Sequence, residues 1–204
     1  HRGGADVLWI ETMSSLEEVK LAVKGAGEAG LPIIFTMSFD TNGRTMMGVG
    51  AADLMNLHQH ARPQVHACGT NCGIGAAEVV AAVLNMKAVV TDGSDPVLVA
   101  KANCGIPEFI DGEIVYSGTP KIMASYAVMA RDAGARIIGG CCGTTPEHVA
   151  AMRHALDNTP KSNPPTLDDI SRVLGNVTAG AKAQARGEHQ LPERAGGRKR
   201  RRRR

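Results

Sequence analysis

The sequence predicts a parallel α/β fold, the C-terminal five β-α units of a (β/α)8 TIM barrel. Two observations predict it. Between residues 7 and 158, short apolar runs of strand length alternate five times with amphipathic or alanine-rich helical patterns, the signature of a parallel sheet covered by crossover helices. The unit length also fits: five units in about 160 residues match eight in the roughly 250 residues of a complete barrel.

The first unit opens with the strand run Val7-Leu8-Trp9-Ile10, followed by Ser14-Ser15-Leu16-Glu17-Glu18, a helix-capping sequence, and a helix expected to end near Gly30. The next strand is read over 32–39, after which Asp40-Thr41-Asn42-Gly43 marks a turn and a polar loop runs to Gly50. A helix over 51–61 leads to the strand Val65-His66-Ala67-Cys68 and, past Cys72, to an alanine- and valine-rich helix over 76–86. A polar stretch and the strand Val97-Leu98-Val99-Ala100-Lys101 follow. Thr119-Pro120 opens a helix running to about Gly134, with threonine as cap and proline at the first helical position. The last unit is the strand 135–138, a loop holding Cys141 and Cys142, and a helix opened by Thr145-Pro146 that ends near Asn158.

If that last helix closes the barrel, these are strands four to eight. The opening His1-Arg2-Gly3-Gly4 leads directly into a strand and reads as the middle of a fold, so three further units are expected upstream. Residues 1–158 thus form a partial barrel. Residues 159–186 are expected to be a linker with one further helix over 167–185, and residues 187–204 a disordered basic tail.

Charge separates body from tail. The chain carries 23 lysines and arginines against 20 acids, but residues 186–204 hold nine of the former and two of the latter, leaving a body of net −4. A mildly acidic body removes the global case for nucleic-acid binding, and aromatics at 3% provide no stacking platform beside the arginine run 198–204. No run approaches the ~20 apolar residues of a membrane span. Five cysteines in glycine-flanked loops do not resemble a disulfide framework, so a reducing cytoplasm is expected.

Three of those cysteines carry the chemistry. Cys72, Cys141 and Cys142 lie at carboxyl ends of predicted strands, where parallel barrels keep their catalytic groups. Three thiolates with one open position suit a catalytic Zn(2+) ion. Gly140 and Gly143 leave the backbone free to aim two neighbouring sulfurs at one ion, whereas Cys68 and Cys104 are read as core filler. A rival reading treats Gly139-Gly140 before a helix as a phosphate cradle. Another treats the thiols as structural in a non-catalytic zinc-binding module whose basic tail recruits nucleic acid or a partner.

The segments Gly69-Thr70-Asn71-Cys72-Gly73, Lys101-Ala102-Asn103-Cys104-Gly105-Ile106-Pro107 and Gly139-Gly140-Cys141-Cys142-Gly143-Thr144-Thr145-Pro146-Glu147-His148 resemble the homocysteine S-methyltransferase family. That family includes the homocysteine-binding domain of methionine synthase and betaine-homocysteine methyltransferase. The resemblance covers about residues 4–157 and implies a zinc-dependent barrel that methylates the thiol of homocysteine to form methionine. It implies Cys72, Cys141 and Cys142 as zinc ligands and Glu11 as the carboxylate that holds the substrate's amino group. Asn71 and Asn103 flank the site, either filling the open position or orienting ligands. Implied donors are betaine, S-methylmethionine or a methylated cobalamin carried by a separate corrinoid protein or domain. The betaine enzymes of animals carry tyrosine directly after the acidic residue, where this chain has Thr12.

Overall fold

The computed structural model describes residues 1–91 and 93–188. Five parallel strands form one sheet: β1 (Leu8–Met13), β2 (Ile33–Met37), β3 (Ala67–Cys72), β4 (Leu98–Ala102) and β7 (Ala135–Gly140), in the spatial order β1-β2-β3-β4-β7. Helices α1 (Leu16–Gly27), α2 (Ala51–His60), α3 (Ala76–Ala88), α4 (Pro120–Ala133) and α5 (Pro146–Asn158) follow the five strands in turn. Each strand therefore lies beside its predecessor, as the barrel reading requires.

Period-two alternation divides the side chains between two faces. Ile33, Phe35 and Met37 of β2 enter the main core beneath the helices, with Cys68, Leu98, Ala100, Val80 and Tyr126. Ile34, Ala67 and Val99 point the other way, into a small cluster with Trp9, Val97 and Ile137. That second face is concave. In a flat sheet β1 and β4 would lie roughly 14 Å apart, yet the Lys101 ammonium of β4 forms an ion pair with the Glu11 carboxylate of β1, a gap these side chains close because the sheet curls.

Local sequence explains the helix starts. Ser15 Oγ accepts a hydrogen bond from Glu18 N at 3.2 Å to cap α1, and Thr119 caps α4 ahead of Pro120. Thr145 caps α5, and His148 Nδ1 accepts from Thr145 N at 3.1 Å, so the histidine of the Thr-Thr-Pro-Glu-His run serves the helix terminus. In α4, Tyr126 is fully buried; its hydroxyl accepts from Ala102 N at 3.1 Å and donates to Gly139 O at 3.3 Å, joining the upper ends of β4 and β7.

Two expectations are corrected, and one stretch left unassigned gains structure. The third strand runs to Cys72 instead of stopping at Cys68, because the ladder to β4 continues through Asn71 opposite Lys101 and Cys72 opposite Ala102. The stretch after β4 contains an antiparallel hairpin, β5 (Pro107–Ile110) and β6 (Glu113–Tyr116), turned at Asp111-Gly112. The single helix expected over 167–185 is two, α6 (Leu167–Leu174) and α7 (Ala179–Ala185), separated at Gly175, whose φ of +105° no helix accommodates.

These two helices cover the outer side of α3, which explains why α3 is buried almost all round. Asn85 of α3 donates to Ala181 O at 3.1 Å, and Glu78 accepts from Thr178 N. Gln184 spans α7 and the loop after β2: its amide oxygen accepts from Ala51 N and its nitrogen donates to Gly43 O. No helix among the described residues is long and apolar enough to cross a membrane. The expected tail beyond residue 188 lies outside the described residues.

Ile170 is the fully buried anchor of α6. Ile170→Ala is expected to lower the unfolding free energy by about 2–4 kcal/mol, read as the midpoint shift in urea unfolding. A shift near zero would mean that α6 is not integral to the core.

Candidate functional site

The carboxyl ends of β1, β3, β4 and β7 meet on the concave face, and three cysteines converge there. Cys72 Sγ lies 4.0 Å from Cys142 Sγ, Cys141 Sγ lies 3.9 Å from Cys142 Sγ, and all three sulfurs fall within 4.8 Å of one another. None is in a disulfide, and contact near 4 Å is twice the length of that bond. Three sulfurs at ~2.3 Å from one tetrahedral ion would stand roughly 3.8 Å apart. The thiols are thus spaced for a shared metal, and among the described residues they form the one such group of cysteine, histidine or acidic side chains.

The backbone is shaped around them. Cys72 adopts φ +61°, a left-handed conformation that costs a non-glycine residue of order 1 kcal/mol and persists where its surroundings impose it. Cys141 N donates to Ala102 O at 2.8 Å, and Cys104 N donates to Cys142 O at 2.9 Å, lashing the double-cysteine loop to the end of β4. Gly143 closes the loop at φ +75°, and a Cβ there would sit 2.3 Å from the Tyr116 ring. Glycine is required at that position on both counts.

Asn103 joins the two thiol-bearing loops. Its amide oxygen accepts from Cys142 N at 3.0 Å and its amide nitrogen donates to Gly73 O at 2.9 Å, beside Cys72. Asn71 joins β3 to β1: its oxygen accepts from Thr12 N at 3.0 Å, and its nitrogen donates to Thr12 Oγ1 at 2.7 Å and lies 3.9 Å from Cys141 Sγ. Thr12 itself takes φ +62°, where the β1–β2 register shifts between Ile10 and Met13. This bulge re-aims the end of β1, a common device beside functional sites.

Desolvation acts on the buried Cys68 and Cys104 and on the rim thiol Cys142. Burial pushes the Cys68 and Cys104 thiols up, and neither has a charged partner to offset it. Cys142 is pushed up to about 11, first by desolvation and then by the neighbouring Cys141 and Cys72. Without a cation nearby, Cys142 therefore holds its proton more tightly than an ordinary thiol.

The candidate metal ligands and substrate-side residues lie at this rim, whereas Cys68 is buried in the core. Cys72, Cys141 and Cys142 are brought together, Asn71 and Asn103 brace them, and Glu11 sits on the same concave face, paired with Lys101. Two side chains, Lys101 and Tyr116, escaped the sequence reading. Lys101 shares the inward register of Val97 and Val99, and its ammonium sits 5.0 Å from the centroid of the Trp9 ring. Tyr116, at the end of β6, is raised above the ordinary tyrosine value by burial and then by Cys142. The Asp111-Gly112 turn followed by the β-prone run Ile114-Val115-Tyr116 was the available signal for that hairpin.

Comparison with known proteins follows the same residues. The family model for homocysteine S-methyltransferase matches residues 1–156. Among solved structures, the apo form of the homocysteine methyltransferase MmuM from Escherichia coli is similar, with TM-score 0.60 and 26% sequence identity over 76% of this chain. The match covers 51% of that protein, so the present chain spans about half its length.

Asn103 is the test of how the cluster is held. Asn103→Ala removes both bonds between the thiol-bearing loops and is expected to cost about 1–3 kcal/mol of stability, measured by urea unfolding. An unchanged unfolding midpoint would show that the loops are held without it.

Proposed function

Because the chain belongs to the homocysteine S-methyltransferase family, we propose that it serves methyl transfer to the thiol of homocysteine, forming methionine, at the rim built by Cys72, Cys141 and Cys142. The observation that carries this reading is the spacing of the three sulfurs, 3.9 and 4.0 Å along the two nearer sides. Their number and chemistry fit zinc, with thiolate donors and an open fourth position for a substrate sulfur. When bound there, the ion supplies the positive charge that keeps a thiol ionised at neutral pH, where a free thiol of pKa ~8.5 is mostly protonated.

The chain's own groups bind and orient. The amide oxygens of Asn71 and Asn103 are taken by Thr12 N and Cys142 N, which favours orientation of the ligand-bearing loops over direct filling of the open position. Asn71 Nδ2 points toward Cys141 Sγ, a donor that stabilises negative charge on sulfur. Glu11, held by the β1 bulge on the same face, takes the ammonium group of the amino acid. The substrate sulfur then attacks the donor's methyl carbon, and the bond from methyl to donor breaks with its electron pair leaving on the donor.

The donor is a separate question. A quaternary ammonium is best held by several aromatic rings. Among the described residues Phe35 and Phe39 are buried in the core, Phe109 is on the exposed hairpin, and Trp9 already faces the Lys101 ammonium. Betaine, S-methylmethionine and methylated cobalamin on a corrinoid protein are distinguished by supplying each with homocysteine and following methionine. A reducing cytoplasm suits three free thiols at a rim.

Two outcomes test this reading. The protein is expected to hold about one zinc per chain by elemental analysis, lost in Cys141→Ser and Cys142→Ser; retention of full zinc in the double variant would remove these ligands from the site. Glu11→Gln is expected to weaken homocysteine binding by about tenfold or more with zinc content unchanged. Equal affinity would return Glu11 to a surface carboxylate.

A further inference from the structure

The family model ends at residue 156, before α6 and α7. Covering α3 accounts for the bonds of Asn85 and Glu78, but not for those of Gln184. This side chain is buried, and its amide bonds to Gly43 O in the loop after β2 and to Ala51 N at the start of α2, not to α3. The start of α7 meets the same loop in a fit that leaves no room for side chains. Gly180 N donates to Asn42 Oδ1 at 2.7 Å, a Cβ at Gly43 would sit 2.5 Å from Ala181 N, and one at Gly180 would collide with Asn42 O. Two glycines thus bring backbone against backbone, and Gly43 also holds φ +75°.

The loop carries this grip to the rim. Thr45 Oγ1 donates to Ser14 O at 2.6 Å and accepts from Val49 N at 3.2 Å, and Ser38 N donates to Met13 O at 3.0 Å. Met13 and Ser14 directly follow the β1 bulge at Thr12, which is bonded to Asn71. On the other flank Gly73, next to Cys72, approaches Phe39 so closely that a Cβ on it would lie 3.3 Å from Phe39 O. The chain leaving β2 therefore sits between the strand end bearing Glu11 and the one bearing Cys72.

We propose that Gln184 is a positioning residue for the rim: together with Gly180 it clamps the loop after β2, and the clamped loop holds the end of β1 in the form that binds substrate. The proposal rests on the homocysteine reading of the preceding section. Without the clamp the loop samples released forms, and apparent affinity falls in proportion to the fraction that stays closed. Because Gly43 O and Ala51 N would be left without their partner in a buried place, that fraction is sensitive to this one side chain. The thiols do not share the sensitivity, since their loops are held by Asn103 and by the end of β4. The competing role for α7 is cohesion alone, as a cover for α3.

Two variants separate these roles. Gln184→Met, of similar size, removes both bonds to the loop, whereas Ile170→Ala loosens α6 in the core without touching the loop. Amide hydrogen exchange over residues 40–50, homocysteine affinity by calorimetry and zinc content are measured in the zinc-supplemented protein. Gln184→Met is expected to speed exchange over 40–50 and to weaken homocysteine binding by about fivefold or more, with zinc content unchanged. Ile170→Ala is expected to lower the unfolding midpoint and to keep the wild-type affinity. If Gln184→Met fails to fold, Asn42→Gly takes its place, because glycine accepts the φ of +52° at that position and removes only the acceptor for Gly180 N. Unchanged exchange, or faster exchange with unaltered affinity, overturns the proposal and leaves the homocysteine reading standing, as does an equal loss of affinity in Ile170→Ala. A wild-type protein that binds no homocysteine overturns both.

Discussion

The rim depends on one constraint: three sulfurs from two loops must stand within 4.8 Å of one another while remaining free thiols. Nothing in the sulfur chemistry favours that arrangement by itself, since neighbouring thiols oppose one another's ionisation and push Cys142 upward. The backbone imposes it. Amide groups of Asn71 and Asn103 cross from strand to strand, the double-cysteine loop is bonded to the end of β4, and two non-glycine residues, Thr12 and Cys72, accept left-handed conformations. Strain of order 1–3 kcal/mol at each such residue is a substantial fraction of the 5–15 kcal/mol that typically stabilises a domain. It is tolerated where the surrounding hydrogen bonds leave no alternative.

The two faces of the sheet divide the remaining work. The face beneath the helices is apolar from β1 to β7 and supplies the cohesion. The concave face starts apolar at Ile34, Ala67 and Val99 and turns polar toward the carboxyl ends, at Thr36, Asn71 and Lys101. One residue links the two. Tyr126 is rooted in the helix-side core, yet its hydroxyl bonds to the backbone of Ala102 and Gly139 directly below the thiols, so packing on one face positions chemistry on the other.

Much of this was legible in the chain. Five β-α units, the caps at Ser15, Thr119 and Thr145, and the convergence of Cys72, Cys141 and Cys142 all follow from local patterns, because capping and periodicity act within a few residues. What escaped involves partners far apart in sequence. The Glu11–Lys101 pair spans 90 residues and depends on the curl of the sheet. The polar end of β3 looked like a loop because its strand character comes from the ladder to β4 rather than from its side chains. The covering of α3 had a signal in the absence of a polar face over Ala76–Ala88, but that signal does not name what covers it. Asn85 and Glu78 met their partners only once α7 and residue 178 were in place.

That covering bears on the order in which the protein can be finished during synthesis. Gln184 bonds to Gly43 and Ala51 across 141 and 133 residues, and Gly180 N bonds to Asn42 across 138. The loop after β2 is made well before α7, and the contacts that fix it arrive with this last described helix. Packing of the sheet can proceed unit by unit as the chain emerges, whereas this loop must wait until the residues between it and α7 have been made. A nascent chain at that stage would thus carry packed β-α units beside an unlatched loop, which closes only when α7 emerges.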